Sequence, residues 1–285
     1  MKKLFYFLIT VGAFLSCEDV IDIETPTEPP RLNIDAVIRI DRSNPITTAC
    51  IKVGLTSPFF DNNDIAEIDE ITIQNTDYEP LGPLDSNFIV FEEITPGMYK
   101  ASKRTPFFTS GDLFLTVKHG GETYSASTSF VPTVPINSLE QGDETLFSED
   151  ETEIKVSFTD NGERDDFYLF DFDFGEFLVT EDEFYQGQTF EFSYFYDEEV
   201  APGSTLEISI LGVDESFYNY MNQIIVQSGG DQGPFQTPAA TVRGNIINTT
   251  NMDNPAVFDN IVRTDNFALG YFAIVEEFKE TLTIE

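Results

Sequence analysis

The segment DNGERDD, Asp160 to Asp166, places several carboxylate and amide oxygens around one glycine. Such hard oxygen donors are the ligands that Ca²⁺ prefers in proteins. The segment lacks the EF-hand order of acidic residues before the glycine and the bidentate glutamate after it. An ordinary acidic turn is the alternative, and the sequence leaves open whether this loop binds calcium.

Side chains for other catalytic or metal chemistry are few. The single histidine, His119, precedes Gly120-Gly121, and no nucleophile motif accompanies it, so Ser-His-Asp catalysis is not indicated. One histidine and two cysteines cannot complete a zinc site. Carboxylate pairs could hydrolyse glycosides, but 51 acidic residues make chance pairs inevitable. We predict that the protein is not an enzyme, and we assign it no catalytic residue, cofactor or metal ligand.

Cys17 stands where an apolar run meets an acidic one. Lys2 and Lys3 open the chain, and the uncharged residues 4–15 would rise only about 18 Å as a helix, against a hydrocarbon core of roughly 30 Å. Such a run is typical of the apolar core of a secretory signal. With the small residue Ser16 before the cysteine, residues 1–16 resemble a bacterial lipoprotein signal peptide. The resemblance implies lipidation of Cys17; an ordinary signal cut nearby, leaving a free thiol, is the alternative.

The charge balance limits the partners. With 51 acidic and 15 basic residues the net charge is −36, and removal of residues 1–16, which contain two lysines and no acid, changes it to −38 (−36 − 2). Such a surface repels phosphate backbones, so we predict no nucleic-acid partner. We expect membrane contact through the N-terminal lipid, without electrostatic attraction.

Alternation of apolar and polar residues, the pattern of a half-buried strand, recurs along the chain. It covers 32–40, 51–55, 71–73, 113–117, 124–128, the aromatic stretches 168–174 and 190–194, and 206–213. Between 113–117 and 124–128, Gly120-Gly121 predicts a tight hairpin turn. If Cys17 is acylated, Cys50 has no disulfide partner, and these strands must be held by a hydrophobic core.

One helix is predicted near residue 220. Its apolar residues recur at helical spacing and form a single stripe of Phe217, Tyr220, Met221, Ile224 and Ile225. Asp214 or Ser216 can cap its start, and Gly229-Gly230 can end it. We interpret the stripe as core packing.

The predicted fold is mainly β, with two tandem β-sandwich-like domains and one amphipathic helix in the second. After the signal peptide 1–16 comes an acidic, proline-rich tether at 17–31. An N-terminal, immunoglobulin-like sandwich follows at 32–131, then a linker at 132–150 and a C-terminal β-rich domain at 151–285.

Several phrases, in their order and spacing, resemble one family. They are RLNIDAVI, VGLTSPFF, PGMY, YSASTSFVPTVPI, GPFQTPAATVRGNI and ALGYFAIV. They resemble the Bacteroidetes outer-membrane lipoproteins catalogued as domain of unknown function 4249. The resemblance implies genes that lie near TonB-dependent transporters, and it supplies no catalytic residues. Glu18 and Asp19 after the cysteine resemble an export signal, which favours the cell surface over the periplasmic face.

The function expected from these features is that of a membrane-anchored accessory lipoprotein. It would bind or present a nutrient, a peptide or glycan, to a TonB-dependent outer-membrane transporter. The alternative is a structural or adhesive cell-surface protein without a small-molecule ligand. The sequence does not identify the ligand, the transporter or the oligomeric state.

Overall fold

The structure is a computed structural model. It describes residues 30–57, 65–148, 150–228 and 241–285. The signal peptide, Cys17, all but the last two residues of the tether, and the predicted helix end at Gly229-Gly230 lie outside the described residues.

Strands make up most of the regular structure, which confirms a mainly β fold with a sandwich-like arrangement. The strands are β1 (Leu32–Ile40), β2 (Ile46–Leu55), β3 (Glu70–Asn75), β4 (Phe88–Val90), β5 (Glu92–Thr95), β6 (Met98–Arg104), β7 (Asp112–His119), β8 (Glu122–Val131), β9 (Ile136–Gln141), β10 (Thr152–Thr159), β11 (Phe167–Asp171), β12 (Phe177–Glu181), β13 (Thr189–Tyr196), β14 (Thr205–Val213), β15 (Ile247–Asn248) and β16 (Leu269–Thr283). The helices are α1 (Thr105–Phe108) and α2 (Glu215–Ser228), with a 3₁₀ turn at Asp182–Phe184.

The last strand, β16, holds the largest sheet together. The sheet runs in the order β4-β3-β7-β8-β16-β1-β2-β6-β5. The first half of β16 pairs in parallel with β1 and β8, and its second half pairs antiparallel with β14, which continues through β11 to β12. A separate sheet has the order β13-β10-β9. The domain bounds 32–131, 132–150 and 151–285 stay a prediction; β9 lies within the middle range, and β16 contacts strands of both outer ranges.

The alternating patterns become two-sided strands. In β1 the residues at 32, 34, 36, 38 and 40 are buried, and the intervening ones face outward. The Gly120-Gly121 turn joins β7 to β8 with positive φ at both glycines, as predicted. The segment ATVRGNI, which the sequence also suggests as a strand, forms none over its described residues, and strand pairing begins only at β15.

A second core is dominated by aromatic rings. Tyr168, Phe170 and Phe172 are buried and meet Phe158 and the residues of β13. The prediction that Phe174 shares this strand face is wrong. β11 ends at Asp171, and the chain turns with positive φ at residues 173 and 174, which leaves the Phe174 side chain exposed.

The predicted helix is present as α2. The Asp214 carboxylate caps it, accepting a hydrogen bond from the Phe217 N–H at 2.7 Å. Of its apolar stripe only Phe217 is buried; Tyr220, Met221 and their neighbours one turn on are half-buried. The stripe is therefore only partly covered by the sheet. Among the described residues, no helix has the length and apolar character needed to cross a membrane.

Candidate functional site

A groove of about 290 Å³ lies between α2 and the outer face of the sheet. We call it the α2 groove. Its lining combines the outward row of β1 with the apolar side of α2 and with the β11–β12 hairpin. The lining residues are Asn33, Asp35, Val37, Arg39, Leu169, Phe177, Phe217, Tyr220, Met221, Ile224, Gly270 and Tyr271.

The floor of the groove follows from the alternation of β1. Because every second residue of β1 is buried in the sandwich, Asn33, Asp35 and Arg39 face outward and are exposed. Gly270 lets the start of β16 lie close beside this row. Its φ is +90°, and a Cβ there would lie 2.0 Å from the Ile34 carbonyl oxygen. A larger residue at Gly270 would push β16 away from β1 and change the floor.

Aromatic rings form the wall contributed by α2. The Phe217 ring lies 4.7 Å from that of Tyr271 on β16, and the Tyr220 ring lies 4.9 Å from the same ring. Tyr271 is buried under the helix, whereas Tyr220 and Met221 remain half-exposed to the groove. This wall offers ring faces and a thioether to a ligand without any rearrangement.

One end of the groove is closed by an ion-pair network. Arg39 donates through Nη2 to Asp171 Oδ2 at 2.7 Å and through Nη1 to Glu277 Oε1 at 3.0 Å. Burial lowers the pKa of Arg39, but these two carboxylates outweigh it, and its pKa lies above the ordinary value. The guanidinium is thus held by protein carboxylates, and this end of the groove carries a net negative charge.

Asp35 on β1 lines the groove together with Tyr220. Burial and, second to it, the charge of Asp35 raise the pKa of the Tyr220 hydroxyl. An apolar wall beside a few polar groups is the usual composition of a small-molecule or peptide site.

The acidic loop 160–166 has a different arrangement. Asp160 and Asp166 are buried, and Tyr168 donates its hydroxyl to both carboxylates. Arg164 Nε lies 2.7 Å from Asp166 Oδ1, and the Gly187 N–H donates to Asp160 Oδ2 at 2.6 Å. Burial, the largest influence, raises the pKa of Asp166 above its ordinary value, although Arg164 opposes the shift. These oxygens are occupied by protein donors, and calcium binding here stays an open prediction.

The other residues singled out from the sequence lie apart from the groove. Cys17 is outside the described residues. Cys50 is a half-buried free thiol in β2. His119, expected from the sequence to be an exposed hairpin residue, ends β7 and is half-buried, with Nδ1 2.7 Å from the Glu67 carbonyl oxygen. Among described residues, no group of three or more His, Cys, Asp or Glu side chains is arranged to hold a metal ion.

A second hollow, of about 480 Å³, is lined mainly by the segment after β13. It contains Glu176 and three consecutive acids at 197–199, with Phe174 and Tyr196 at its side. It lacks the extended apolar wall of the α2 groove, so we take the groove as the better candidate. Sequence reasoning missed the groove because it treated the α2 stripe as core.

Comparison with known proteins gives a family and little else. A family model described as "Domain of unknown function (DUF4249)" matches residues 18–257, well over half of the chain. This match confirms the family predicted from the sequence phrases. No curated protein matches.

Among solved structures, one similar chain is described as "Structural insight into host cell surface retention of a 1.5-MDa bacterial ice-binding adhesin". It is 14% identical, with a TM-score of 0.21, and the match covers 67% of this chain and 61% of that chain. The chain thus spans less than two thirds of that neighbour's length. At such a TM-score the likeness carries no argument about fold or function.

Proposed function

The chain belongs to the DUF4249 family, a domain of unknown function, and on that premise we propose that it is a membrane-anchored accessory lipoprotein. In this proposal the lipid on Cys17 holds it at the outer membrane, with its body at the cell surface. The folded body binds a nutrient, a peptide or glycan, and presents it to a TonB-dependent outer-membrane transporter. The protein does no chemistry on the ligand.

The α2 groove is the observation that carries the binding role. An amphipathic helix normally buries its apolar stripe against the body of the protein. Here the sheet covers Phe217 but leaves Tyr220, Met221 and Ile224 half-exposed along a groove. Burying the rest of this stripe against a ligand would be favourable, because each apolar side chain removed from water contributes about 1.5–3 kcal/mol at full burial.

The polar groups of the floor indicate what kind of ligand fits. Asn33 can donate and accept hydrogen bonds, and Asp35 can accept them. Peptide amides and sugar hydroxyls both satisfy such groups, while a side chain or a sugar face stacks on Tyr220. Groups of this kind bind and orient a ligand, which suits presentation to a transporter.

Ligand screening on the purified mature chain tests the binding role. Pools of short peptides and of oligosaccharides are added separately, and the thermal midpoint is recorded for each pool. We expect one pool to raise the thermal midpoint. We expect the Tyr220→Ala protein to need at least ten times more of that ligand for the same increase. Val226→Ala is the matched control on the same helix, because Val226 is exposed and does not line the groove. Stabilisation that survives Tyr220→Ala would place the ligand elsewhere.

Crosslinking in intact cells tests the transporter. A photoreactive phenylalanine analogue at position 224 should crosslink to the ligand. In a separate experiment, crosslinkers applied to the cell surface should recover a TonB-dependent transporter as the partner. Failure of every pool to stabilise the protein, together with no transporter recovered, would count against the proposal.

A structural or adhesive role is the second candidate. It is favoured by large apolar side chains that project into solvent away from the groove, at Leu84, Phe147 and Phe184. Gathered into a contiguous patch, such residues would form a contact surface for another protein. A gene deletion that leaves nutrient uptake intact but alters attachment or envelope integrity would favour this role.

A further inference from the structure

A short hairpin near the end of the chain displays apolar side chains to solvent. The bridge between Asn254 and Asp259 closes a turn whose four residues, 255–258, read Pro-Ala-Val-Phe and are all exposed. Two further apolar residues follow at 261 and 262. The exposed fractions are 64% for Val257, 46% for Phe258, 62% for Ile261 and 83% for Val262. We call residues 255–262 the apolar loop.

The apolar loop is held in shape by polar groups. The Asp253 carboxylate accepts hydrogen bonds from the N–H groups of Ile261 at 2.7 Å and Val262 at 2.9 Å. Asn260 is buried and donates to the Asn248 carbonyl oxygen on β15 at 2.8 Å. Phe258 has φ of +50°, a conformation that is uncommon for a large side chain. The apolar side chains are therefore fixed outward by the fold.

The loop is connected to the point where the tether joins the folded body. Arg31, directly before β1, donates to the Asp265 carbonyl oxygen and lies 4.6 Å above the Phe267 ring. Arg243 lies 4.9 Å from the same ring and pairs with Asp259 at 2.7 Å. A continuous series of contacts thus runs from Arg31 to the residue that follows Phe258.

The charge balance here differs from the rest of the chain. The three acids at 253, 259 and 265 are matched by Arg31, Arg243 and Arg263, whereas the whole chain has 51 acids against 15 bases. The apolar loop and its described neighbours therefore add no net repulsion from anionic lipid head groups, whereas the tether that ends at Arg31 carries five acids. Exposed apolar side chains beside balanced charges suit the interface between head groups and acyl chains.

We propose that the apolar loop is a second membrane contact, which inserts Val257, Phe258, Ile261 and Val262 into the interfacial layer of the membrane that holds the lipid anchor. This inference rests on the anchorage of Cys17 in the proposed function. Residues 17–29 can extend over at most roughly 45 Å, so the anchor keeps this end of the body within reach of the bilayer. The contact would set the orientation of the α2 groove relative to the membrane.

Depth-dependent fluorescence on the lipidated full chain tests the contact. An environment-sensitive dye is attached to Val262→Cys in a Cys50→Ala background, and the protein is reconstituted into vesicles of equal parts phosphatidylethanolamine and phosphatidylglycerol. The matched control carries the dye at Phe184→Cys, another exposed site. We expect the dye at position 262 to shift to the blue, to be quenched by nitroxide lipids and to lose quenching by iodide. The dye at 184 should stay accessible to iodide.

A further variant separates insertion from proximity. Val257→Ser with Ile261→Ser, both at exposed positions, should restore iodide quenching at 262 while circular dichroism and vesicle flotation stay unchanged. If the dye at 262 is as accessible to iodide on vesicles as in solution, while the protein floats with them, the loop contact is wrong and the anchor stands. If the protein does not float, the anchorage fails and the inference with it. A dye response that requires added envelope protein would show that a protein partner covers the loop, and would overturn the membrane assignment.

Discussion

Replacing Phe217 by alanine should loosen α2 from the sheet beneath it. Phe217 is 2% exposed, and in the described part of α2 it is the only buried residue. Its ring lies 4.7 Å from the Tyr271 ring and 6.0 Å from the Tyr220 ring. Phe217 is therefore the central contact that attaches the helix, and with it one wall of the α2 groove, with the half-buried Tyr218, Tyr220 and Met221 packed around it.

The expected loss of unfolding free energy can be estimated from these contacts. Removing a buried phenylalanine costs about 3–5 kcal/mol in lost transfer free energy and cavity formation. We expect the lower part of that range, about 3 kcal/mol, because the cavity would open toward the groove and fill with water. Against a typical free energy of unfolding of about 5–15 kcal/mol, such a loss is large.

Urea unfolding followed by circular dichroism measures this loss. With a slope of about 2–3 kcal/mol per molar urea, Phe217→Ala should lower the midpoint by about 1 M. Val226→Ala in the same helix is the control, and because Val226 is 40% exposed it should change stability by less than about 1 kcal/mol. A Phe217→Ala protein within about 0.5 kcal/mol of the parent would refute the idea that this ring fastens the helix.

Three further outcomes are expected. Burial raises the pKa of several tyrosines, that of Tyr124 to about 12. Because these phenols ionise at lower pH in the unfolded chain, the folded chain should lose stability as the pH rises from about 10 toward 12. Ultraviolet phenolate absorbance measures this, and titration of these phenols in the folded chain near pH 10 would contradict it. Tyr168→Phe removes a hydroxyl that donates to the buried carboxylates of Asp160 and Asp166. It should lower the free energy of unfolding in urea by about 1–3 kcal/mol. An unchanged midpoint would mean that water replaces the hydroxyl. Gly270→Ala should lower the free energy of unfolding by roughly 2 kcal/mol more than Gly175→Ala. Both glycines have positive φ, but of the two only Gly270 would bring a Cβ against a backbone carbonyl oxygen. Equal losses in the same assay would disprove the close approach.

Much of the secondary structure can be predicted from local sequence patterns. The period of two in β1 predicts which residues are buried, since a residue facing the sandwich must be apolar whichever strand lies beside it. The spacing of Phe217 and its neighbours predicts α2, and Asp214 predicts its start. These features depend on the chain's own geometry and need no distant partner.

Local sequence patterns do not predict which distant strands pair with one another. Nothing local to β16 indicates that it pairs in parallel with β1 and antiparallel with β14. The α2 groove was missed for the same reason, because exposure of Tyr220 depends on how far the sheet extends beneath the helix. Phe174 was misplaced because the alternation continues through a turn that only the backbone conformation reveals.

The intact mass of the mature N-terminal peptide, from protein isolated out of native envelopes, tests the central claim most directly. We predict a chain that begins at Cys17 and carries the mass of a thioether-linked diacylglyceryl group and an amide-linked acyl chain. An unmodified terminus, or one that begins at another residue with Cys17 removed or unmodified, would contradict anchorage, and the transporter role and the membrane contact of the apolar loop would fall with it.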